Sequence, residues 1–321
     1  EQNRKAQIKI AKPRRQKERA GHGRIDDRSA KVDTDIAIIG LSGRFPGAES
    51  AIELWELLVS EKTVLAEASD LRWGALNTYY DKTGKNPAKS NSKNVGLLAG
   101  VEDFDPEFFN ISSREAKYMP PEERLFLMSA YHALEDAGLN PTALSKEKVG
   151  VFICMEESSY GGLQATADAT GLGITSSGVA MVSSRLSYFL NFRGPTVAIN
   201  TACSSGMVAF HQACASLKTG ESDLALAGAV ALLLGPQSYV TMSQAGMLSA
   251  SGQCKTFSIK ADGIVCGESV SVITLKRLIE AETSGDPIYG VVKGSGINFD
   301  GKTNGVTAPN GEAQAALISD I

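Results

Sequence analysis

Cysteine is scarce in this sequence: five occur among 321 residues, at 154, 203, 214, 254 and 266. The number is odd and too small for a disulfide scaffold, and no spacing, Cys254 to Cys266 included, matches a zinc pattern. No metal centre is therefore expected. Nor is there an uninterrupted apolar run of about 18 residues, so no membrane-spanning helix is expected. The first 30 residues hold no apolar signal core, which argues against secretion. Reduced thiols without a leader imply a cytoplasmic protein. Histidine is rarer still, with three copies at 22, 132 and 211, and that limits the acid–base chemistry available.

What is present reads as a soluble globular chain, 43% hydrophobic and 21% charged. The net charge of −4 is unevenly spread. Residues 1–34 carry 11 Lys/Arg against 5 Asp/Glu, and the remainder is acidic. The basic stretch "RKAQIKIAKPRRQKERAGHGR" has no aromatic residue on which a base would stack, so a nucleic-acid partner is not expected. Its composition fits a solvated interdomain linker over 1–34.

Folded sequence is expected from "DIAIIG" (35–40), a strand-like run ending in glycine. A Gly/Pro loop follows, then helical periodicity in "AIELWELLVSE" (51–61). Residues 62–119 read as irregular surface chain. "PEERLFLMSAYHALEDAGLNP" is the clearest helix, with Pro121 in its first turn and Gly138 and Pro141 as stops. Strand and helix then alternate through "KVGVFICME", "SSGVAMVSSRLSYFLN", "TVAIN", "CSSGMVAFHQACASLKTG", "DLALAGAVALLL" and "SVSVITLKRLIEAETSG", with a last strand over 287–300. Continuous apolar strands interleaved with helices predict an α/β layered fold whose sheet is covered on both faces.

"NTACSSGM" (200–207) holds the one chemically suggestive thiol, since Cys154, Cys214, Cys254 and Cys266 are expected in apolar or crowded surroundings. Cys203 is placed at the first turn of a helix that directly follows a strand. Helix N–H groups and the positive dipole end favour thiolate there. Small neighbours allow a tight turn, and such an elbow can aim N–H groups at a developing oxyanion. An inert cysteine packed in a small-residue turn fits the same local sequence. No histidine partner is convincing. His22 lies in the basic tail, and His211 is eight residues along the same helix, about 12 Å away. His132, flanked by apolar residues, reads as a packed histidine.

Other features have plain readings. Gly161, Gly162, Gly171 and Gly173 are too irregular for a phosphate loop. Asp262 and Glu268 suit turn stabilisation better than a carboxylate pair. "FDGKTNG" lacks the ligand spacing of a calcium loop. Met and aromatic residues at 181, 188, 189, 239, 242 and 247 read as core or dimer surface, with one or two lining an acyl channel.

"DIAIIGLSGRFPGA", "EERLFLMSAYHALEDAG", "GPTVAINTACSSG", "SDLALAGAV", "AGMLSASGQCKTFS", "ADGIVCGES" and "GSGINFDGKTNGVTAPNG" together resemble the β-ketoacyl synthase (ketosynthase) domain of modular type I polyketide synthases. The likeness runs in order from about residue 35 to 321. It implies a thiolase-like layered fold, α/β/α/β/α, and carries the family's nucleophile onto Cys203. Two catalytic histidines and an assisting lysine follow the "TAPNG" segment in that family, in "HGTGT"- and "NxGH"-type motifs absent from this sequence. The resemblance thus implies that residues 35–321 are the N-terminal portion of a ketosynthase domain, truncated before the catalytic histidines.

By the same resemblance, Cys203 takes an acyl chain as a thioester. A malonyl-type extender on an acyl carrier protein is then decarboxylated and condensed with it. The domain holds no cofactor of its own; phosphopantetheine arrives on the partner carrier protein. Other domains of the same synthase and a second copy in a homodimer are the remaining expected partners. Asn200 stands where the family usually has Asp, Gly206 where it has Ser, "PPEERLF" for "DPQQRL", and "CGES" for "RGEG". Those variations are similar to ketosynthases served by separate acyltransferases. A non-elongating ketosynthase that only transfers acyl chains, a structural or docking half-domain, and a thiolase using free CoA remain as rival readings.

Overall fold

The computed structural model describes residues 35–68, 70–156, 158–160 and 178–321. The basic segment 1–34, with His22, lies outside the described residues, as do the glycines at 161, 162, 171 and 173.

"IAIIGLSGR" forms β1 (Ile36–Arg44). Ser50 caps α1 (Ala51–Val59), its hydroxyl accepting the Glu53 N–H. The stretch read as irregular carries short pieces: β2 (Ala66–Glu67), α2 (Asp70–Trp73), α3 (Leu76–Tyr79), β3 (Asn94–Val95) and α4 (Ser113–Ala116). Next comes α5 (Pro121–Asp136), which opens on proline, Glu122 and Glu123, residues suited to a helix N-terminus. Alternation then follows as expected: β4 (Val149–Met155), α6 (Val179–Leu190), β5 (Thr196–Ile199), α7 (Ser205–Thr219), β6 (Leu224–Ala231), α8 (Gln237–Gln244), β7 (Ser269–Arg277), α9 (Leu278–Ser284), β8 (Gly290–Val292) and α10 (Gly311–Asp320). The strand expected over 287–300 shrinks to three residues. Among the described residues β8 pairs only with Ile36–Ile38 of β1, and Gly294 and Gly296 follow it, which weakens further strand.

Six strands form one mixed sheet in the order β5-β4-β6-β7-β1-β8. β4 runs parallel to both β5 and β6, with α6 and α7 as the crossovers. The β6–β7, β7–β1 and β1–β8 pairs are antiparallel. α5 and α6 cover one face, burying Phe126, Ala130, Leu134 and Leu186 against Ile39, Val151, Leu226 and Val272. α7 covers the other, with Ala209, Ala213, Cys214 and Leu217 on Phe152, Ala225, Ala227 and Leu275. Both faces are buried, which is why the strands read as unbroken apolar runs. α5 comes so close to β1 that a Cβ on Gly40 would lie 2.3 Å from the Ala133 carbonyl oxygen. The result is helix, sheet, helix: three of the five layers that the resemblance implies.

A smaller cluster sits under α8. Trp73 packs against Tyr79 and Tyr239 with ring centroids 5.2 Å apart in each pair, and its indole N–H donates to the Leu233 carbonyl. Tyr239 is fully buried, whereas Tyr188 and Met247 are exposed.

Candidate active site

β5 ends at Ile199 and α7 begins at Ser205; the five residues between them form a sharp elbow. Ala202 there has φ 55°, a left-handed conformation that costs a side-chain-bearing residue about 1 kcal/mol or more. Side chains hold it in place. Asn200 Oδ1 accepts the Ala202 N–H at 3.0 Å. Ser205, fully buried, accepts the Thr201 N–H on its Oγ at 2.6 Å and donates to the Ala202 carbonyl at 2.6 Å. The Ser204 hydroxyl donates to the Thr201 carbonyl at 2.9 Å.

Cys203 stands on this elbow, exposed. It precedes the N-cap Ser204 and so lies just ahead of the helix rather than within its first turn. The leading N–H groups of a helix have no intrahelical partner, and Cys203 is adjacent to them. A cavity of about 380 Å³ opens beside the thiol between Gly206, Met207 and Phe210 of α7 and Ala227–Ala229, Ser271 and Ile273 of the sheet. A second, of about 550 Å³, lies at the neighbouring Ser204 and is walled by the 298–308 loop. Asn310 fixes that loop by donating its side-chain N–H to the Asp300 carbonyl at 2.8 Å.

The other thiols differ. Burial pushes Cys214 up to about 11 and also raises Cys154 and Cys266. On Cys266 the nearby Cys254 and Cys203 act in the same direction. Cys254 departs from the crowded surroundings expected of it. It is exposed, with its Sγ accepting the Val265 N–H at 3.0 Å.

No described histidine is brought to Cys203. Nδ1 of His211 bonds Ser295 Oγ at 3.0 Å. His132 is a correction: it is exposed and pairs with Glu135 at 2.9 Å. Its sequence neighbours are apolar, but the helical turn sends Ala130, Ala133 and Leu134 inward and His132 outward.

Two charge arrangements are buried, and in one of them Glu268, expected to stabilise a turn, instead bridges remote segments. The Glu268 side chain is inaccessible to solvent, with Arg72 at 2.5 Å and the Leu233 N–H at 2.6 Å on Oε1, and the Leu98 N–H at 2.7 Å on Oε2. It therefore staples three remote segments. Arg185 bridges Glu123 at 2.6 Å and Glu115 at 2.8 Å. Burial of Glu123 outweighs that pairing and pushes its carboxyl up to about 7; burial raises Glu122 as well. Asp262 is held low by Lys255 and Ser249. Among the described residues no cluster of His, Cys, Asp or Glu could hold a metal ion, and no helix is long and apolar enough to cross a membrane.

A family profile described as "Beta-ketoacyl synthase, N-terminal domain" matches residues 33–281. The chain is similar to polyketide synthase PksL of Bacillus subtilis, at 45% identity over 289 residues, covering 89% of this chain and 6% of that protein. It is also similar to PksM of the same organism, at 43% identity over 291 residues, covering 90% and 7%. Among solved structures it resembles the ketosynthase from module 6 of the bacillaene synthase of Bacillus subtilis, with TM-score 0.81 and 43% identity. It likewise resembles the oxazolomycin ketosynthase domain OzmH KS7 of Streptomyces albus, with TM-score 0.82 and 36% identity. This chain spans 48% and 49% of those two structures and a small part of the curated relatives.

Proposed function

We propose that this chain, which belongs to the β-ketoacyl synthase family through its N-terminal domain, supplies the nucleophile of a polyketide synthase ketosynthase. The observation that carries this is the exposed Cys203 thiol on a hydrogen-bonded left-handed elbow ahead of α7. Cys203 Sγ attacks the carbonyl of an acyl thioester on phosphopantetheine. A new S–C bond forms, the pantetheine C–S bond breaks, and the proton passes to the released pantetheine sulfur. Backbone N–H groups at a helix start are suited to the transient oxyanion. In the second half-reaction a malonyl-type unit on an acyl carrier protein loses carbon dioxide. The resulting carbanion displaces Cys203 from the acyl group and leaves a β-ketothioester two carbons longer.

The domain needs no cofactor of its own for these steps; the pantetheine arm belongs to the carrier protein. Carrier and other synthase domains, a second copy of the domain, and a cytoplasmic setting complete the proposal. On composition, residues 1–34 serve as a basic linker to a neighbouring domain and 35–321 as the N-terminal portion of the ketosynthase.

The test uses the full synthase polypeptide with an acyl thioester and malonyl-carrier protein. The expected product is the extended β-ketothioester, lost in Cys203→Ala. Movement of the acyl chain without loss of carbon dioxide would instead identify a transfer-only ketosynthase. Condensation that survives Cys203→Ala would overturn the reading.

A further inference from the structure

Helix α1 carries apolar residues on two faces. Ala51, Leu54 and Leu57 are half-buried and turn toward the domain. Ile52, Trp55, Leu58 and Val59 point away from it, at 73%, 67%, 62% and 64% exposure. Their spacing of three, four and seven residues places them on one outward stripe. The inner face already has its own apolar set, so the outer stripe is not needed for the helix's own packing. Soluble surfaces rarely group such side chains unless something covers them.

The charges around the stripe have one predominant sign. Glu49, Glu53, Glu56 and Glu61 lie on α1 or at its ends, and all four are exposed. On the inner side of α1, Glu49 and Ala51 share with Asp136, His132 and Met128 of α5 a cavity of about 460 Å³. Among the described residues that flank α1 in sequence the cations are Arg44 and Lys62, and Arg44 is already engaged by Glu49 at 2.6 Å. A second α1 laid on this stripe would bring like charges together. An anionic membrane would be repelled in the same way. A cationic surface with large apolar side chains meets both features at once.

We infer that the outer face of α1 is a docking surface for a Lys/Arg-rich amphipathic helix of a partner domain, the apolar side chains seating on Ile52, Trp55 and Val59 within the acidic rim. This surface is separate from the thiol chemistry and does not rest on it.

The experiment uses the full synthase polypeptide and a labelled 18-residue Leu/Lys amphipathic peptide as probe, followed by anisotropy. A Leu/Glu peptide and phosphatidylglycerol-containing vesicles are the comparison arms. The Leu/Lys peptide is expected to bind more weakly as salt rises and to shift Trp55 emission to the blue. Trp55→Ala should weaken it about tenfold or more, and the double variant Glu56→Lys, Glu61→Lys by about tenfold, since an exposed ion pair contributes up to about a factor of five. These side chains are exposed, and unchanged circular dichroism will confirm that each variant folds. A photo-crosslinker at position 55 should then capture a Lys/Arg-rich segment. Capture of an acidic or neutral segment or of a second α1, preference for vesicles or the Leu/Glu peptide, or binding indifferent to these substitutions would overturn the inference.

Discussion

Replacing Ser205 by alanine tests whether the elbow is what makes Cys203 reactive. Ser205 is buried and its Oγ is the acceptor for the Thr201 N–H at 2.6 Å. Its hydroxyl also donates to the Ala202 carbonyl, which keeps a second donor in the Ser205 N–H at 3.0 Å. Ser205→Ala therefore orphans the Thr201 N–H and leaves the carbonyl satisfied. Thr201 is itself exposed, so loss of this one hydrogen bond costs about 0.5–1.5 kcal/mol. The left-handed Ala202 holds a further strain of about 1 kcal/mol that only its surroundings restrain. Taking about 2 kcal/mol for the two together, and about 1.4 kcal/mol per factor of ten, the equilibrium shifts roughly 30-fold from the bent toward the relaxed elbow. The assay follows alkylation of each cysteine by peptide mapping in the intact synthase. Exposed Cys254 is the internal reference, and buried Cys214 reports unfolding. Cys203 labelling should fall by up to about 30-fold while Cys254 and Cys214 hold steady. Ser204→Ala, whose hydroxyl is exposed, should stay within about threefold of the parent. A Ser205→Ala variant that labels Cys203 at the parent rate, or a Ser204→Ala variant equally slow, would refute this role for Ser205.

Glu268→Gln puts an amide N–H₂ where one carboxylate oxygen now accepts, and removes the charge that faces Arg72. Destabilisation of about 3 kcal/mol is expected from breaking this buried pair, measured as a urea midpoint shift; a change under about 0.5 kcal/mol would contradict the staple. Glu123 gives a pH dependence. Its folded carboxyl titrates at about 7 against an ordinary 4.5, so the folded state holds the proton longer. Its contribution is fully present below about 4.5 and is lost as pH rises through 7. Stability followed from pH 5 to 8 should fall less steeply in Glu123→Gln than in the parent; identical slopes would contradict the assignment.

The layers of the fold were readable because the strands are apolar on both sides and the helices periodic. The elbow was readable because small residues separate β5 from α7. Ser205 was not: it looks like any small residue of "TACSS", and only the turn shows that its hydroxyl closes two bonds. Glu268 and Arg72 are 196 residues apart, beyond any local pattern. His132 misled because linear neighbours are not helical neighbours, and Cys254 because its packing depends on a remote backbone, that of Val265. α1 was legible as a helix, yet apolar residues on both faces left its orientation open.

The most direct test of the account is acylation itself. The intact synthase is exposed to an acyl-pantetheine thioester, and every cysteine peptide is read by mass spectrometry. The account predicts one acyl adduct, on Cys203, absent from Cys203→Ala, with exposed Cys254 unmodified. An adduct on Cys254 in preference to Cys203, or acylation of this domain that persists in Cys203→Ala, would contradict it.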